Sequence, residues 1–409
     1  MSTSNQTSIA PPEPDLAPAD LIARARELRP ALLEQQEETE NRGMPSAEMH
    51  ERFRDAGLYR TLVPRRFGGY EFDVPTFLRT VIEIARGCPG SGWNLCLAAG
   101  HGLQIGGLFS ESAQLEALSP DGHFACPARG IPMGTAERVD DGWRIEGTWD
   151  YCSGAPYATH AMVAVRMEGA AGNSTIGLAL VPRDDWEMLD DWRDRAFGMR
   201  GSGSNSIRIE GAIVPEHFVI EENLLDSKTT ADTPGFRLHG NPMYAGNAIG
   251  YLQLEITAIL VGTARAALDE YERIIRAKKT PGPKGVPRYE THDYQRWFGL
   301  ALGRVDAAES ILLESAERFM QYCREAAVEG GSFDPEEGMR LNSTTHQAVN
   351  LGWEAVELLF RTSGTSEGAR NGSRIQRYYR DYSTARTNIG LQWEPFAERL
   401  SKLHFEVVE

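Results

Sequence analysis

Gly142-Trp-Arg-Ile-Glu-Gly-Thr-Trp149 runs directly into Asp150-Tyr-Cys-Ser-Gly154, and these two stretches fix the reading of the chain. In the first, apolar and polar residues alternate between glycines, the pattern of a half-buried strand. The second reads as the turn closing a β-hairpin on a small hydroxyl residue, Ser153. His160-Ala-Met-Val-Ala-Val-Arg166, Ile176-Gly-Leu-Ala-Leu-Val-Pro182 and Asn205 to Pro215 repeat the strand signature. Short strands separated by turn signals predict a compact β-barrel or sandwich.

The flanks change character. Asp20 to Arg29 opens an amphipathic helix. Ser46 is an N-cap candidate, with Met49, Phe53 and Leu58 following at helical spacing and Gly57 near the end. Arg65-Arg-Phe-Gly-Gly69 reads as a turn and Thr76 to Ile84 as a helix. Gly90 to Leu108, rich in Gly, Ala and Leu, reads as one tightly packed buried helix. Downstream, Phe298, Leu302, Val305, Leu312, Ala316, Phe319 and Cys323 form a long apolar seam. Val349, Trp353, Val356 and Phe360 form another, as in a helix bundle. Thr280 to Pro287 is a loop rich in Pro and Gly. The expected division is a disordered tail (1–14), a helical domain (15–123), a central β domain (124–235) and a C-terminal helix bundle (236–409).

Composition removes several function classes. The formal net charge of −16 disfavours a general nucleic-acid surface, which needs clustered Lys and Arg. Five scattered cysteines without a CxxC pair suit reduced thiols in the cytoplasm rather than a disulfide framework or zinc site. No apolar run approaches the ~20 residues of a membrane helix, and Met1 to Pro14 lacks the apolar core of a signal peptide. The histidines show no metal-binding spacing.

Several motifs fail on context. Gly201-Ser-Gly203-Ser-Asn-Ser206 resembles a dinucleotide fingerprint but precedes a strand, so no helix N-terminus faces a phosphate. Gly364-Thr-Ser366-Glu-Gly368 follows a helix, where a nucleophile elbow needs a strand, and reads as a helix C-terminal turn.

The order of helices, β segment and helix bundle resembles the acyl-CoA dehydrogenase fold: α+β, mostly α, with an N-terminal helical domain, a small central β-barrel and a C-terminal four-helix bundle. Its anchors are Arg65 to Gly69, Gly198-Met-Arg-Gly-Ser-Gly-Ser204, Val214-Pro215 and Arg380-Asp381. Within that fold, Gly147-Thr-Trp149 with Ser153-Gly154 is similar to the G-x-W-x-x-x-S-G stretch of the group D flavin-dependent monooxygenases. These are oxygenase components of two-component systems, such as the p-hydroxyphenylacetate and hydroxy-seco-steroid hydroxylases. Acyl-CoA dehydrogenases commonly carry a catalytic Glu eight residues past the Asp of the Arg-Asp pair. That position here is Ile389, so α-proton abstraction from an acyl thioester lacks its base.

The resemblance implies reduced FMN or FAD and O2 as cofactors. Flavin would come from a separate NAD(P)H-dependent reductase, and a C4a-hydroperoxyflavin would pass one oxygen atom to an aromatic, phenolic or polyketide-like substrate. It implies a homotetramer as well. Ser153 is carried over as the hydroxyl beside flavin N5, and Trp93 as an aromatic near the flavin. Arg200, Gly201, Ser202 and Arg377 are candidates to bind the cofactor, while Arg380-Asp381 also reads as a structural ion pair. His101 aligns with a histidine that touches a phenol oxygen. Asn388 stands where many relatives have a histidine, and an amide cannot act as a base near neutral pH. Either His101 is then the base or the substrate needs none. The alternatives are an acyl-CoA dehydrogenase-like dehydrogenase or oxidase with a displaced base, an N- or S-oxygenase on the same fold, and a flavin-binding protein without turnover.

Overall fold

Helix starts follow their capping side chains. Ser46 Oγ accepts from Met49 N–H and Asp73 from Thr76 N–H, and Asn247 accepts from Ile249 N–H at the head of the longest apolar helix. The computed structural model describes residues 9–118, 122–168, 174–222 and 227–407. First come helices α1 (Pro18–Glu34), α2 (Gln36–Arg42), α3 (Ala47–Asp55), α4 (Val74–Gly87), α5 (Pro89–Ala99), α6 (Gly102–Leu108) and α7 (Glu111–Leu118). Strands β1 (Ala128–Val139), β2 (Gly142–Trp149), β3 (His160–Glu168), β4 (Ser174–Pro182), β5 (Glu187–Met188), β6 (Ile207–Val214) and β7 (Val219–Ile220) follow. The chain ends in α8 (Pro234–His239), α9 (Ala248–Ala277), α10 (His292–Ala326), α11 (Pro335–Thr362), α12 (Thr365–Gly368), α13 (Arg374–Ala385) and α14 (Trp393–His404).

The strands form one mixed sheet in the order β5-β6-β2-β1-β3-β4-β7. β1 pairs antiparallel with β2 and parallel with β3, with an irregularity between Arg129 and Gly134. Two expectations change here. β2 and β3 flank β1 and do not pair with each other, so Trp149 to Gly154 is a crossover connection and not a hairpin turn. The strand order is also that of an open sheet: among the described residues no ladder joins β5 to β7. Trp149 pins the sheet's centre. Its ring is fully buried, its Nε1–H donates to Ala164 O at 2.9 Å, and it covers Gly134 and Gly147, where a Cβ would sit 2.4 and 2.9 Å from the ring. Glycine at both positions is therefore a space requirement.

α9 is the central helix, packed on α4, α5, α10, α11 and α13. Small residues let it approach closely. A Cβ on Gly262 would stand 2.6 Å from Ala85 Cβ of α4. Its buried face includes Leu254, Ile259, Leu260 and Ile274, each such side chain stabilising the fold by roughly 1.5–3 kcal/mol through burial. The apolar seam predicted on α10 holds at Val305, Leu312, Ala316, Phe319 and Cys323, whereas Leu302 faces outward. A second core lies under the sheet and takes Val63, Phe67, Ile105 and Phe109 from the N-terminal helical region. That region therefore contributes to both cores.

Two further differences bear on the site. The single helix expected over Gly90 to Leu108 stops at Gly100-His101 and restarts as α6. Gly100 is pressed against α9, where a Cβ would sit 2.5 Å from Glu255 Oε2 and 2.7 Å from Tyr251 Oη. The tail is anchored from residue 9: Ile9 N–H donates to Arg66 O at 3.0 Å, and Arg24 pairs with Glu13 at 2.6 Å. Its first eight residues lie outside the described part.

Candidate active site

The crossover after β2 lies along a glycine-rich turn. Cys152 N–H donates to Asn205 O at 3.1 Å and Gly154 N–H to Gly203 O at 3.2 Å. On the other side this turn is held by α5, whose Asn94 Nδ2 donates to Ser202 O at 3.0 Å. Gly203, at φ +60°, approaches so closely that a Cβ would lie 2.8 Å from Pro156 and 2.9 Å from Asn94. Two non-glycine residues at left-handed φ flank the arrangement, Tyr151 at +55° and Met199 at +53°. Such backbone strain costs of order 1–3 kcal/mol at each residue and collects at functional sites.

At the centre is a chain of uncharged polar groups. Trp93 Nε1–H of α5 donates to Ser153 Oγ at 2.9 Å, Ser153 Oγ meets Ser204 Oγ at 2.7 Å, and Ser204 Oγ meets Ser202 Oγ at 2.6 Å. All four side chains are buried. A serine hydroxyl has one proton and two lone pairs. Trp93 fills one lone pair of Ser153, and Ser204 uses either the other lone pair or the proton. One function remains, donor or acceptor according to which way the serine chain points.

The other candidates are placed unevenly. His101 follows α5 by one turn from Ala98, against which Gly154 packs. It is buried, its Nδ1 lies 2.6 Å from Cys126 O, and burial holds its ring below the ordinary histidine pKa. Thus Trp93, Ser153 and Ser202 form one cluster, and His101 lies further along the same helical path. Asn388 is not joined to that cluster by any hydrogen bond among the described residues. It caps the short turn Ile389–Leu391, accepting from Gly390 N–H at 2.8 Å, and that turn rests near Gln253 and Ile256 of α9. Arg200 donates to Ala196 O of its own loop at 2.8 Å. Gly201 is needed for packing, since a Cβ there would meet Thr39 at 2.7 Å.

Arg377 points inward. It pairs with Glu40 at 2.7 Å and touches Gln36 Oε1 at 3.2 Å, while Arg380 holds the other oxygen of Glu40 at 2.6 Å. The two guanidiniums hold the Glu40 carboxyl below its ordinary range despite burial. Asp381, beside them, accepts from Met199 N–H at 2.6 Å, and burial pushes its carboxyl up to about 6. This buried network fixes the head of the Arg200–Ser202 turn.

One residue was missed at the level of sequence. Glu255 of α9 is fully buried, and its Oε1 stands 3.7 Å from His101 Nε2. The available signal was its spacing: Glu255 lies four residues after Tyr251 in a helix whose apolar stripe includes Leu254 and Ala258. An acid on that inward face needed explanation. A surface groove of about 750 Å³ lies elsewhere, between α10 and α11, bordered by Trp297, Leu300 and Trp353. No group of three or more His, Cys, Asp or Glu among the described residues is arranged to hold a metal. No helix there is long and apolar enough to cross a membrane.

Comparison with known proteins agrees with this architecture. Residues 254–393 match the family model for the acyl-CoA dehydrogenase C-terminal domain. The chain is 29% identical over 396 residues to a pigment production hydroxylase of Rhodococcus sp. (strain ATCC 21145), covering 96% of this chain and 98% of that protein. It is 28% identical to the flavin-dependent monooxygenase oxygenase subunit HsaA of Rhodococcus jostii (strain RHA1), covering 90% and 93%. The solved structure of XiaF from Streptomyces sp. in complex with FADH2 and glycerol superimposes with a TM-score of 0.86 at 23% identity, over 96% of each chain. The homologues and structural neighbours of this chain are oxygenase components of flavin-dependent monooxygenases on an acyl-CoA dehydrogenase-like fold.

Proposed function

We propose that this chain is the oxygenase component of a two-component flavin-dependent monooxygenase acting on an aromatic, phenolic or polyketide-like substrate. In this reading the helical domain (15–123), the β domain (124–235) and the bundle (236–409) enclose reduced FMN or FAD, delivered by a separate NAD(P)H-dependent reductase. A cytoplasmic homotetramer is part of the same proposal.

The observation that carries it is the buried Trp93–Ser153–Ser204–Ser202 chain. Its groups are neutral, and together they leave a single unfilled hydrogen-bonding function on Ser153. That suits the edge of a flat heteroaromatic ring and does not suit a phosphate or a metal ion. When bound, reduced flavin supplies two of the electrons that reduce O2 and the substrate supplies the other two, one oxygen atom going to substrate and the other to water. Ser153 would hold the ring N–H with its remaining lone pair. The serine protons then run from Ser153 to Ser204 to Ser202, so the hydroxyl steadies a proton without adding charge. Trp93 orients that hydroxyl. Gly203 and Gly154 let the backbone close over it and exclude water, which strengthens each hydrogen bond inside. The sequences of the named relatives support the same activity.

A specific observation favours one second reading. Glu255 is a buried carboxyl that could replace the acid absent at Ile389 in an acyl-CoA dehydrogenase-like reaction. The two readings separate by rapid mixing. Under the monooxygenase reading, the reduced-flavin complex returns slowly to the oxidised spectrum on meeting O2, and Ser153→Ala makes the return fast and releases peroxide. Direct bleaching of bound oxidised flavin by an acyl-CoA, without a reductase, supports the dehydrogenase instead.

A further inference from the structure

Asn371-Gly372 is the only Asn-Gly step in the sequence, and it lies in the exposed turn between α12 and α13. Ser373 N–H closes that turn by donating to Arg370 O at 3.2 Å. Gly372 holds a left-handed φ of +83°, which a residue without Cβ adopts freely. Beyond its chain neighbours, a Cβ on Gly372 would meet a single described atom within 4 Å, Glu37 Oε1 at 3.7 Å, so the turn is barely packed. Among the described residues neither the Gly372 N–H nor the Asn371 amide makes a hydrogen bond. The other described asparagines differ. The amides of Asn94 and Asn205 donate to Ser202 O and Leu189 O, and those of Asn247 and Asn388 accept from the N–H two residues on. Asn241 precedes a proline, which has no N–H. Asparagines inside helices are followed by N–H groups already bonded in the helical ladder.

We propose that Asn371 is a site of spontaneous deamidation, and that the change loosens the segment 364–370 while leaving α13 in place. The Gly372 amide loses its proton to solvent, and its nitrogen forms a bond to Asn371 Cγ. The Cγ–Nδ2 bond breaks, and ammonia leaves with a proton. A five-membered imide results, and water then opens either of its two ring C–N bonds. Opening at Cγ leaves aspartate. Opening at the main-chain carbonyl leaves isoaspartate, whose backbone runs through the side chain and is longer by one methylene. Water enters, ammonia departs, and nothing is oxidised or reduced.

Where the extra length goes depends on what is fastened. After the turn, Ser373 and Ile375 are buried, Arg374 Nη2 donates to Leu33 O at 3.3 Å, and Arg377 pairs with Glu40 at 2.7 Å. Before it, Thr365, Ser366, Ala369 and Arg370 are exposed. That side is tied by Lys278, which reaches Ser366 Oγ at 2.9 Å and pairs with Glu367. In the isoaspartate form the exposed side therefore moves outward, and the Ser373–Arg370 bond is lost. The aspartate form keeps the original chain length. Its new charge stands just ahead of the first turn of α13, where a negative group is favoured, so that form leaves the turn closed.

The test ages the intact protein in mildly alkaline buffer and maps it by peptide mass spectrometry. Amide-to-acid exchange at Asn371 should run roughly tenfold or more ahead of every other asparagine, and fall roughly tenfold in Gly372→Ala, whose Cβ crowds the attacking nitrogen. If Gly372→Ala does not fold, Asn371→Gln decides, since it must close a six-membered ring and should lag likewise. Amide hydrogen exchange then reads the consequence. In the isoaspartate fraction it should quicken over 364–370 and stay unchanged over 374–385, whereas Asn371→Asp should exchange as fresh protein does. Exchange at Asn371 no faster than elsewhere, or an unchanged rate in the deciding variant, overturns the site. An isoaspartate fraction that exchanges like fresh protein over 364–370, or faster over 374–385, overturns the loosening.

Discussion

Met199 N–H donates to the buried carboxylate of Asp381 at 2.6 Å, across 182 positions of sequence. Met199 holds a left-handed φ of +53°, so the bond stabilises a conformation that its side chain disfavours. The turn it fixes carries Ser202, the far end of the hydroxyl chain that reaches Ser153. Helix α13 thus sets the polar site through the turn that carries it.

A pH signature follows from that bond. Asp381 is raised to about 6, chiefly by burial; Met199 N–H, Arg380 and Arg377 oppose the rise, and Glu40 reinforces it. The folded protein then holds a proton here that the unfolded chain has released. Its contribution to stability is full below the unfolded carboxyl pKa and is lost as pH rises through about 6. Asp381→Asn keeps an acceptor for Met199 but cannot ionise. Stability of the native protein minus that of Asp381→Asn should therefore fall by up to about 3 kcal/mol between pH 4 and 7. Taking the difference removes the opposite slope of Glu40. Urea unfolding of both proteins at several pH values measures it, and a flat difference rejects the account.

Ser153→Ala leaves the buried Trp93 Nε1–H without an acceptor. The expected loss is about 1–3 kcal/mol, and adding Trp93→Phe should recover part of it. Additive losses in this double-mutant cycle would mean the indole–hydroxyl bond contributes little in solution.

Gly203→Ala forces a Cβ to 2.8 Å from Pro156 at a φ of +60°. Roughly 1–3 kcal/mol of stability should be lost, with weaker flavin binding from displacement of Ser202 and Ser204. Fluorescence titration with FMN and FAD, alongside thermal melts, reads both effects.

Arg377 gives a sharper distinction. Its guanidinium is enclosed by Glu40 and Gln36. Arg377→Met leaves the Glu40 carboxylate to Arg380 alone and should cost about 1.5–3 kcal/mol, the range for a hydrogen bond to a charged group. Glu40→Gln made in the same chain should relieve part of that cost. If flavin affinity in the folded fraction falls tenfold while stability is unchanged, Arg377 contacts the cofactor instead.

Much of this was legible in the sequence because local rules and tertiary packing agree. Ser46 caps α3 as its spacing indicated, and the seam from Val305 to Cys323 is buried as its periodicity required. Where the two conflict, the sequence misled. Gly100 and His101 continue a helical pattern, but contact with α9 ends the helix there. Trp149 to Gly154 has the composition of a hairpin turn, and only the strand order shows that it crosses β1. Ser204 and Glu255 were invisible as partners of Ser153 and His101, since their distances of 51 and 154 positions carry no local pattern. The inward role of Arg377 was hidden for the same reason: Glu40 is 337 positions away.

The sheet ends in two strands of two residues each, Glu187–Met188 and Val219–Ile220. Each covers only two residues of its longer neighbour, Ile207–Arg208 of β6 and Leu178–Ala179 of β4, and among the described residues no strand pairs with the rest of those two edges. Partial heating that loosens the helices but spares the sheet should therefore free those lengths of β6 and β4 as templates, and ordered fibrils should grow from the sheet margins.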